Sequence, residues 1–211
     1  FFITSFTTQA DTSQDAEKDS SSSKVIVILG DSLSAAYGIP IDQAWVTLLE
    51  KTIEKQYSES TQPYKIHNAS ISGETTSGGK NRLANGLKKY QPDLVVIELG
   101  GNDGLRGTPI KSIENNLKDM ILQSKASGAE VLLLGMRIPP NYGERYTELF
   151  AANYSKLANE HKSLFVPFLL EGVAGEDGMI QEDGIHPTEP AQPIMEKLVR
   201  KEVVLWLENR K

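Results

Sequence analysis

Five short apolar runs, separated by segments of helical periodicity, constrain this chain more than any other feature. Lys24-Val25-Ile26-Val27-Ile28-Leu29, Leu94-Val95-Val96-Ile97-Glu98-Leu99 and Val131-Leu132-Leu133-Leu134 are nearly continuous hydrophobic stretches. That is the composition of strands covered on both faces. Tyr64-Lys65-Ile66-His67-Asn68-Ala69 and Leu164-Phe165-Val166-Pro167-Phe168 read as two further strands. Between the runs, apolar side chains recur at helical spacing: Trp45, Leu48, Leu49 and Ile53; Leu83, Leu87 and Tyr90, closed by Pro92; Ile113, Leu117, Met120, Ile121 and Ser124, with Gly128 as the C-cap; Tyr146, Phe150, Tyr154 and Leu157. A last helix is expected from about Ala191 to Leu207, with Ile194, Leu198 and Leu205 on one side. Such alternation predicts an α/β domain, a five-stranded parallel sheet with helices on both faces.

The domain is expected to occupy residues 24–211. Residues 1–23 read as a flexible leader, because Asp11 to Ser23 is rich in Asp, Ser and Thr and nearly free of apolar groups. Phe1, Phe2, Ile3 and Phe6 followed by Thr8-Gln9-Ala10 resemble the end of a secretory signal, which would make the protein periplasmic or secreted. An arbitrary boundary reads equally well there. The net charge of −6 argues against a nucleic-acid partner, which calls for a basic face. No apolar stretch is long enough for an integral membrane segment. With no cysteine, disulfides, thiolate nucleophiles and zinc–thiolate sites are excluded. No pair of histidines has metal-ligand spacing, so no metal site is expected.

In open parallel sheets, ligands bind beyond the carboxyl ends of the strands. The residues able to do chemistry fall there. Ser32 lies just past the first run, after Gly30-Asp31, at the turn into a helix; Gly73 lies shortly after the second; Asn102 lies just after the third. Asp183 and His186 share one loop before the final helix. Acyl transfer from a serine needs a base, usually a histidine, and a carboxylate to hold its tautomer. It also needs donors for the oxyanion. Gly30-Asp31-Ser32-Leu33-Ser34 offers the hydroxyl and a backbone N–H. Gly73, without a Cβ, lets a second N–H approach, and Asn102 offers a side-chain amide. In Asp183-Gly184-Ile185-His186-Pro187, Gly184 lets the loop curl so that Asp183 meets Nδ1 and Nε2 is left for Ser32.

These blocks, in this order, resemble the GDSL or SGNH hydrolase family: Gly30-Asp31-Ser32-Leu33-Ser34, the glycine of Ser70-Ile71-Ser72-Gly73, Gly100-Gly101-Asn102-Asp103, and Asp183-Gly184-Ile185-His186-Pro187. The segments Asn68 to Gly73, Glu98 to Gly107 and Pro140-Asn141-Tyr142-Gly143 are similar to its arylesterase branch, bacterial acyl-CoA thioesterases, proteases and lysophospholipases. The resemblance implies a flavodoxin-like three-layer α/β/α sandwich. It implies Ser32 as nucleophile, Asp183 and His186 as the rest of a triad, and an oxyanion hole from the Ser32 N–H, the Gly73 N–H and Asn102. It implies a small-molecule ester or thioester substrate, a monomer, and no cofactor. Glu74 stands where the branch commonly has Asp, and Thr188 where it commonly has Asn.

Taken singly, each of these residues has a plainer reading. Ser32 could cap a helix, Asn102 could form an Asx-turn, Gly73 could serve only a turn, and Asp31 is expected to fix the Ser32 turn. Arg106 is expected to support its loop, and Tyr142 and Tyr146 are candidates to line an acyl groove. Two rival functions are a carbohydrate acetyl esterase of the same fold and a non-catalytic module holding a phosphate at a helix start beside Gly30 to Ser34. The absence of Gly-x-Ser-x-Gly and of Gly-x-Gly-x-x-Gly disfavours an α/β-hydrolase elbow and a dinucleotide-binding domain.

Overall fold

A computed structural model describes residues 23–58 and 63–209. The proposed leader therefore lies outside the described residues, apart from Ser23. Five strands, β1 (Lys24–Gly30), β2 (Tyr64–Asn68), β3 (Leu94–Glu98), β4 (Glu130–Leu134) and β5 (Leu164–Val166), pair in parallel in the order β2-β1-β3-β4-β5. The three strands with unbroken apolar sequences occupy the middle of this order. β3 is buried along its whole length and β4 along all but its first residue, since helices cover both faces. β2, whose sequence mixes Tyr, Lys, Ile, His and Asn, is an edge strand with half-buried and exposed positions and no fully buried one.

The helices are α1 (Trp45–Gln56), α2 (Thr76–Tyr90), α3 (Gly101–Leu105), α4 (Ile110–Ala126), α5 (Glu144–Glu160) and α6 (Gln192–Glu208). α1 packs against α6, whereas α2 packs against α4 and α4 against α5. The strand order explains this division. The chain moves one way along the sheet from β1 to β2, then the other way from β2 through β3 and β4 to β5. Crossovers of one hand then place α1 on one face and α2, α4 and α5 on the other. The reversal leaves a crevice where the loops after β1 and β3 diverge.

The stripe Ile113, Leu117, Met120, Ile121 and Ser124 is wholly buried along α4, as its spacing predicts. α6 has the expected extent but buries a different face. Met195, Val199, Val203 and Trp206 turn inward, while Leu205 is exposed and Ile194 and Leu198 are only half-buried. Both sides of this helix carry apolar residues at helical spacing, so periodicity alone selects neither. Contact with α1 decides it.

α3 is a second difference. Its five residues are too few to register as a period. It begins at Gly100, which has φ +118, and a Cβ at that glycine would collide with the Tyr154 hydroxyl oxygen. Only glycine meets both demands. A third difference concerns Ser32. Turns, not a helix, follow β1, and the first α-helix starts at Trp45. Ser32 is therefore not a helix cap, and no helix N-terminus stands there to hold a phosphate.

Candidate active site

The candidate residues converge on the crevice between the ends of β1 and β3, where Ser32, Asn102 and His186 line one cleft. Ser32 Oγ lies 2.9 Å from His186 Nε2, and His186 Nδ1 lies 2.5 Å from Asp183 Oδ2. The other oxygen, Asp183 Oδ1, accepts from the backbone N–H of Ile185 at 2.9 Å and of His186 at 3.0 Å. The loop thus curls about its own carboxylate, turning at Gly184. These donors, the His186 N–H foremost, hold the Asp183 carboxyl down at about 2. An ionised Asp183 accepts from Nδ1 and fixes the neutral imidazole proton there. Nε2 is left as an acceptor facing the hydroxyl. Tyr37 lies against the imidazole, ring centroids 4.3 Å apart. Gln181 ties the loop down, its N–H donating to the His186 carbonyl and its amide to the carbonyls of Tyr37 and Pro187.

The donor side is built from the loops after β1, β2 and β3. Among the described residues, neither the Ser32 N–H nor the Gly73 N–H has a hydrogen-bond partner. Gly73 has φ +79, and a Cβ added to it would meet nothing within 4 Å. Its glycine is therefore required by the left-handed backbone and not by lack of room, which corrects the steric reason expected from sequence. Asn102 Nδ2 donates to Asp31 Oδ2 at 3.1 Å and to the Glu74 carbonyl at 3.0 Å. Both amide hydrogens are taken in the free molecule, so an arriving oxyanion has to share one of them. Glu74, the longer acid at the first departure from the family pattern, turns back along α2 to pair with Arg82. Thr188, the second departure, donates its hydroxyl to the Gly178 carbonyl at 2.7 Å. Arg106 Nη2 reaches the Gly73 carbonyl at 3.5 Å, in keeping with support of that loop.

Beneath Ser32 lie two carboxyl groups, Asp31 and Glu98, both buried. Asp31 fixes the turn as expected, its Oδ1 accepting from the Leu33 N–H at 3.1 Å. Burial pushes Asp31 up to about 6, against the pull of the Leu33 N–H, Glu98 and Asn102. Glu98 is also raised well above its ordinary value, first by burial and then by the charge of Asp31. Sequence reasoning passed over Glu98. The signal was available: it is the one charged residue in a run otherwise read as a buried strand.

The cleft has a volume of about 550 Å³. Leu105, Ile138 and Pro140 wall it from the segments after β3 and β4, and Phe168, Leu170 and Ile180 from the segment after β5. Tyr142 and Tyr146 do not line it. Tyr146 is half-buried and donates to the Thr108 carbonyl at 2.7 Å, and Tyr142 is exposed. Arg137 also borders the cleft, its guanidinium 4.7 Å from the centre of the Phe168 ring. No local sequence pattern marks it.

A parallel sheet with a hydroxyl–imidazole–carboxylate chain at its switch point defines a serine hydrolase. Residues 28–192 match the GDSL-like Lipase/Acylhydrolase family. Esterase TesA of Pseudomonas aeruginosa is 49% identical over 170 residues, which cover 81% of this chain and 83% of that protein. Thioesterase 1/protease 1/lysophospholipase L1 of Escherichia coli strain K12 is 43% identical over 178 residues, covering 84% of this chain and 82% of that one. The crystal structure of the psychrotrophic esterase EstA from Pseudoalteromonas sp., inhibited by monoethylphosphonate, superposes with a TM-score of 0.80 at 38% identity, covering 88% of this chain and 99% of that one. The chain belongs to the GDSL-like lipase/acylhydrolase family and is a carboxylic ester hydrolase. Among the described residues, no helix is long and apolar enough to cross a membrane.

Proposed function

We propose that Ser32 attacks the carbonyl of an ester or thioester carrying an apolar acyl chain, with His186 as general base and Asp183 as its orienting carboxylate. One observation carries this reading: the continuous hydrogen-bonded chain from Asp183 through His186 to Ser32. Nε2 takes the hydroxyl proton as Oγ bonds to the carbonyl carbon. The oxyanion that forms is met by the N–H groups of Ser32 and Gly73 and by the Asn102 amide. Collapse expels the alkoxide or thiolate, which takes the proton back from Nε2. Water then repeats the cycle on the acyl-enzyme, releasing the acid and restoring Ser32. Asn102→Ala is expected to lower kcat by ~10² to 10³ through loss of one oxyanion donor, measured with a soluble aryl ester.

The substrate class rests on the cleft. Leu105, Ile138, Phe168 and Leu170 offer an apolar wall to an acyl chain, whereas an acetylated sugar calls for polar partners. Thioesters and lysophospholipids are included because the Escherichia coli relative is named for both activities. A panel of acetyl to palmitoyl aryl esters, acyl-CoA, lysophosphatidylcholine and acetylated xylose oligomers tests this. Acyl substrates longer than acetyl are expected to exceed the acetylated sugars in kcat/KM; the reverse order would favour the carbohydrate esterase. An organophosphate is expected to label Ser32 covalently and only while His186 is intact.

Every group in this reading comes from one chain, which supports a monomer; sedimentation of the active protein tests it. Export to the periplasm or beyond is proposed from the apolar residues and Thr8-Gln9-Ala10 near the start of the sequence. Cell fractionation of the native host protein is the test.

A further inference from the structure

The two carboxyl groups beneath the Ser32 turn take no part in the steps above, yet their hydrogen bonds are specific. Glu98 is fully buried and Asp31 is 2% exposed. Glu98 Oε2 accepts twice, from the Asp31 N–H at 3.1 Å and from the Ser34 hydroxyl at 2.6 Å. Glu98 Oε1 is buried as well and, among the described residues, meets no N–H or O–H donor. The oxygens of Asp31 are both supplied with donors, Oδ1 by the Leu33 N–H and Oδ2 by the Asn102 amide. The two carboxyl groups are buried together beneath Ser32, and each acts on the other. Two carboxylates side by side in a dry place do not both stay ionised, so one of them carries a proton. Glu98 Oε1, the oxygen with no donor to receive, is where that proton belongs. His186 from the last loop acts on Asp31, and both carboxyl groups act on Tyr154 of α5, whose hydroxyl donates to the Leu99 carbonyl.

We propose that Glu98 is a positioning residue of the hydrolytic reaction: as the proton-bearing partner of Asp31 it holds that carboxylate, and through it the Asn102 amide, in place for the oxyanion. An ionised Glu98 would set two like charges in one dry pocket. Asp31 would then turn away or take the proton itself, and Asn102 would lose the acceptor that orients it. The same Glu98 anchors the Asp31 N–H and the Ser34 hydroxyl on either side of Ser32, so nucleophile and oxyanion donor share one buried support. The proposal rests on the reading of Ser32 and Asn102 given above.

Glutamine at this position is neutral and, like the acid form, carries both a donor and an acceptor. Glu98→Gln is therefore expected to keep kcat for a soluble aryl ester within about threefold of the parent protein. Glu98→Ala removes the support, and kcat is expected to fall about tenfold or more while KM stays within about twofold. If Glu98 acts through Asn102, the two losses overlap: the Glu98→Ala/Asn102→Ala double variant is expected within about threefold of Asn102→Ala alone. Multiplying losses would overturn the proposal, and so would a Glu98→Gln variant as impaired as Glu98→Ala. Thermal unfolding of each variant checks that it is folded at the assay temperature. If Glu98→Ala does not fold, Glu98→Gln decides alone: near-parental kcat supports the proposal, and a loss of about tenfold or more overturns it. Ser32→Ala, run in the same assay, separates the two levels. Activity surviving in it would defeat the proposed function whatever Glu98 does.

Discussion

Ser32→Ala is expected to lower kcat for acyl esters by ~10⁴ or more with thermal stability unchanged within experimental error. The size follows from what alanine removes. The bond-forming atom is lost, and with it the acyl-enzyme route that divides one hard step into two easier ones. What remains is the cleft and the oxyanion donors, and these alone give only a residual rate over water. Stability is expected to hold because, among the described residues, Ser32 Oγ contributes only its hydrogen bond to His186, while the turn is held by Asp31, Ser34 and Glu98. Turnover of an aryl ester, read beside the melting temperature, checks both halves. A Ser32→Ala protein retaining a tenth of the parental kcat would remove the nucleophile from this account.

His186→Ala is expected to cost ~10⁴ or more in kcat as well, because an unassisted serine hydroxyl is a weak nucleophile near neutral pH. The backbone of the loop is expected to survive, since Gln181 donates to the carbonyl of residue 186 and Asp183 Oδ1 accepts from two N–H groups that alanine retains. The distinguishing measurement is covalent. Organophosphate labelling of Ser32 is expected to fall with turnover, as it needs the same proton transfer. Normal labelling with lost hydrolysis would confine His186 to the second half of the cycle. The pH dependence carries a related expectation. Asp183 is held at about 2, below its ordinary value, so the stability it contributes is present above the ordinary value and is lost only as pH falls toward 2. Loss of activity between neutral pH and about pH 4 therefore does not come from Asp183, and a pH–rate profile with parallel melting curves can separate the two.

Legibility differed from element to element for physical reasons. β1, β3 and β4 could be read because strands covered on both faces need apolar residues at nearly every position, whatever the details of packing. β2, an edge strand, accepts polar side chains where water reaches it, so its mixed composition marks it less clearly. On α6, two apolar stripes compete, and the inward one is selected by contact with α1. α3 is shorter than any window in which a period can be counted. The Ser32 turn resembles a helix start in sequence because strand–turn–helix is the usual succession, yet turns and a short three-residue helical turn intervene before Trp45.

The residues of the site were legible as types at fixed places: a hydroxyl, two glycines, an amide, a carboxylate and an imidazole, each just past a strand or in the last loop. By itself the sequence determined the layered parallel fold, the sheet edge at which the candidate residues fall, and the types of group proposed to act there. Local order is enough for this, because a strand's direction places whatever follows it at the carboxyl edge. Tertiary structure alone decided which side chains wall the cleft, that Tyr142 and Tyr146 stand outside it, that both Asn102 hydrogens are already engaged, and that Glu98 is buried against Asp31. These are distances between atoms far apart in the chain, Asp31 and Glu98 being 67 positions apart. No periodicity, composition or spacing fixes such a distance. It exists only once β1 and β3 lie side by side.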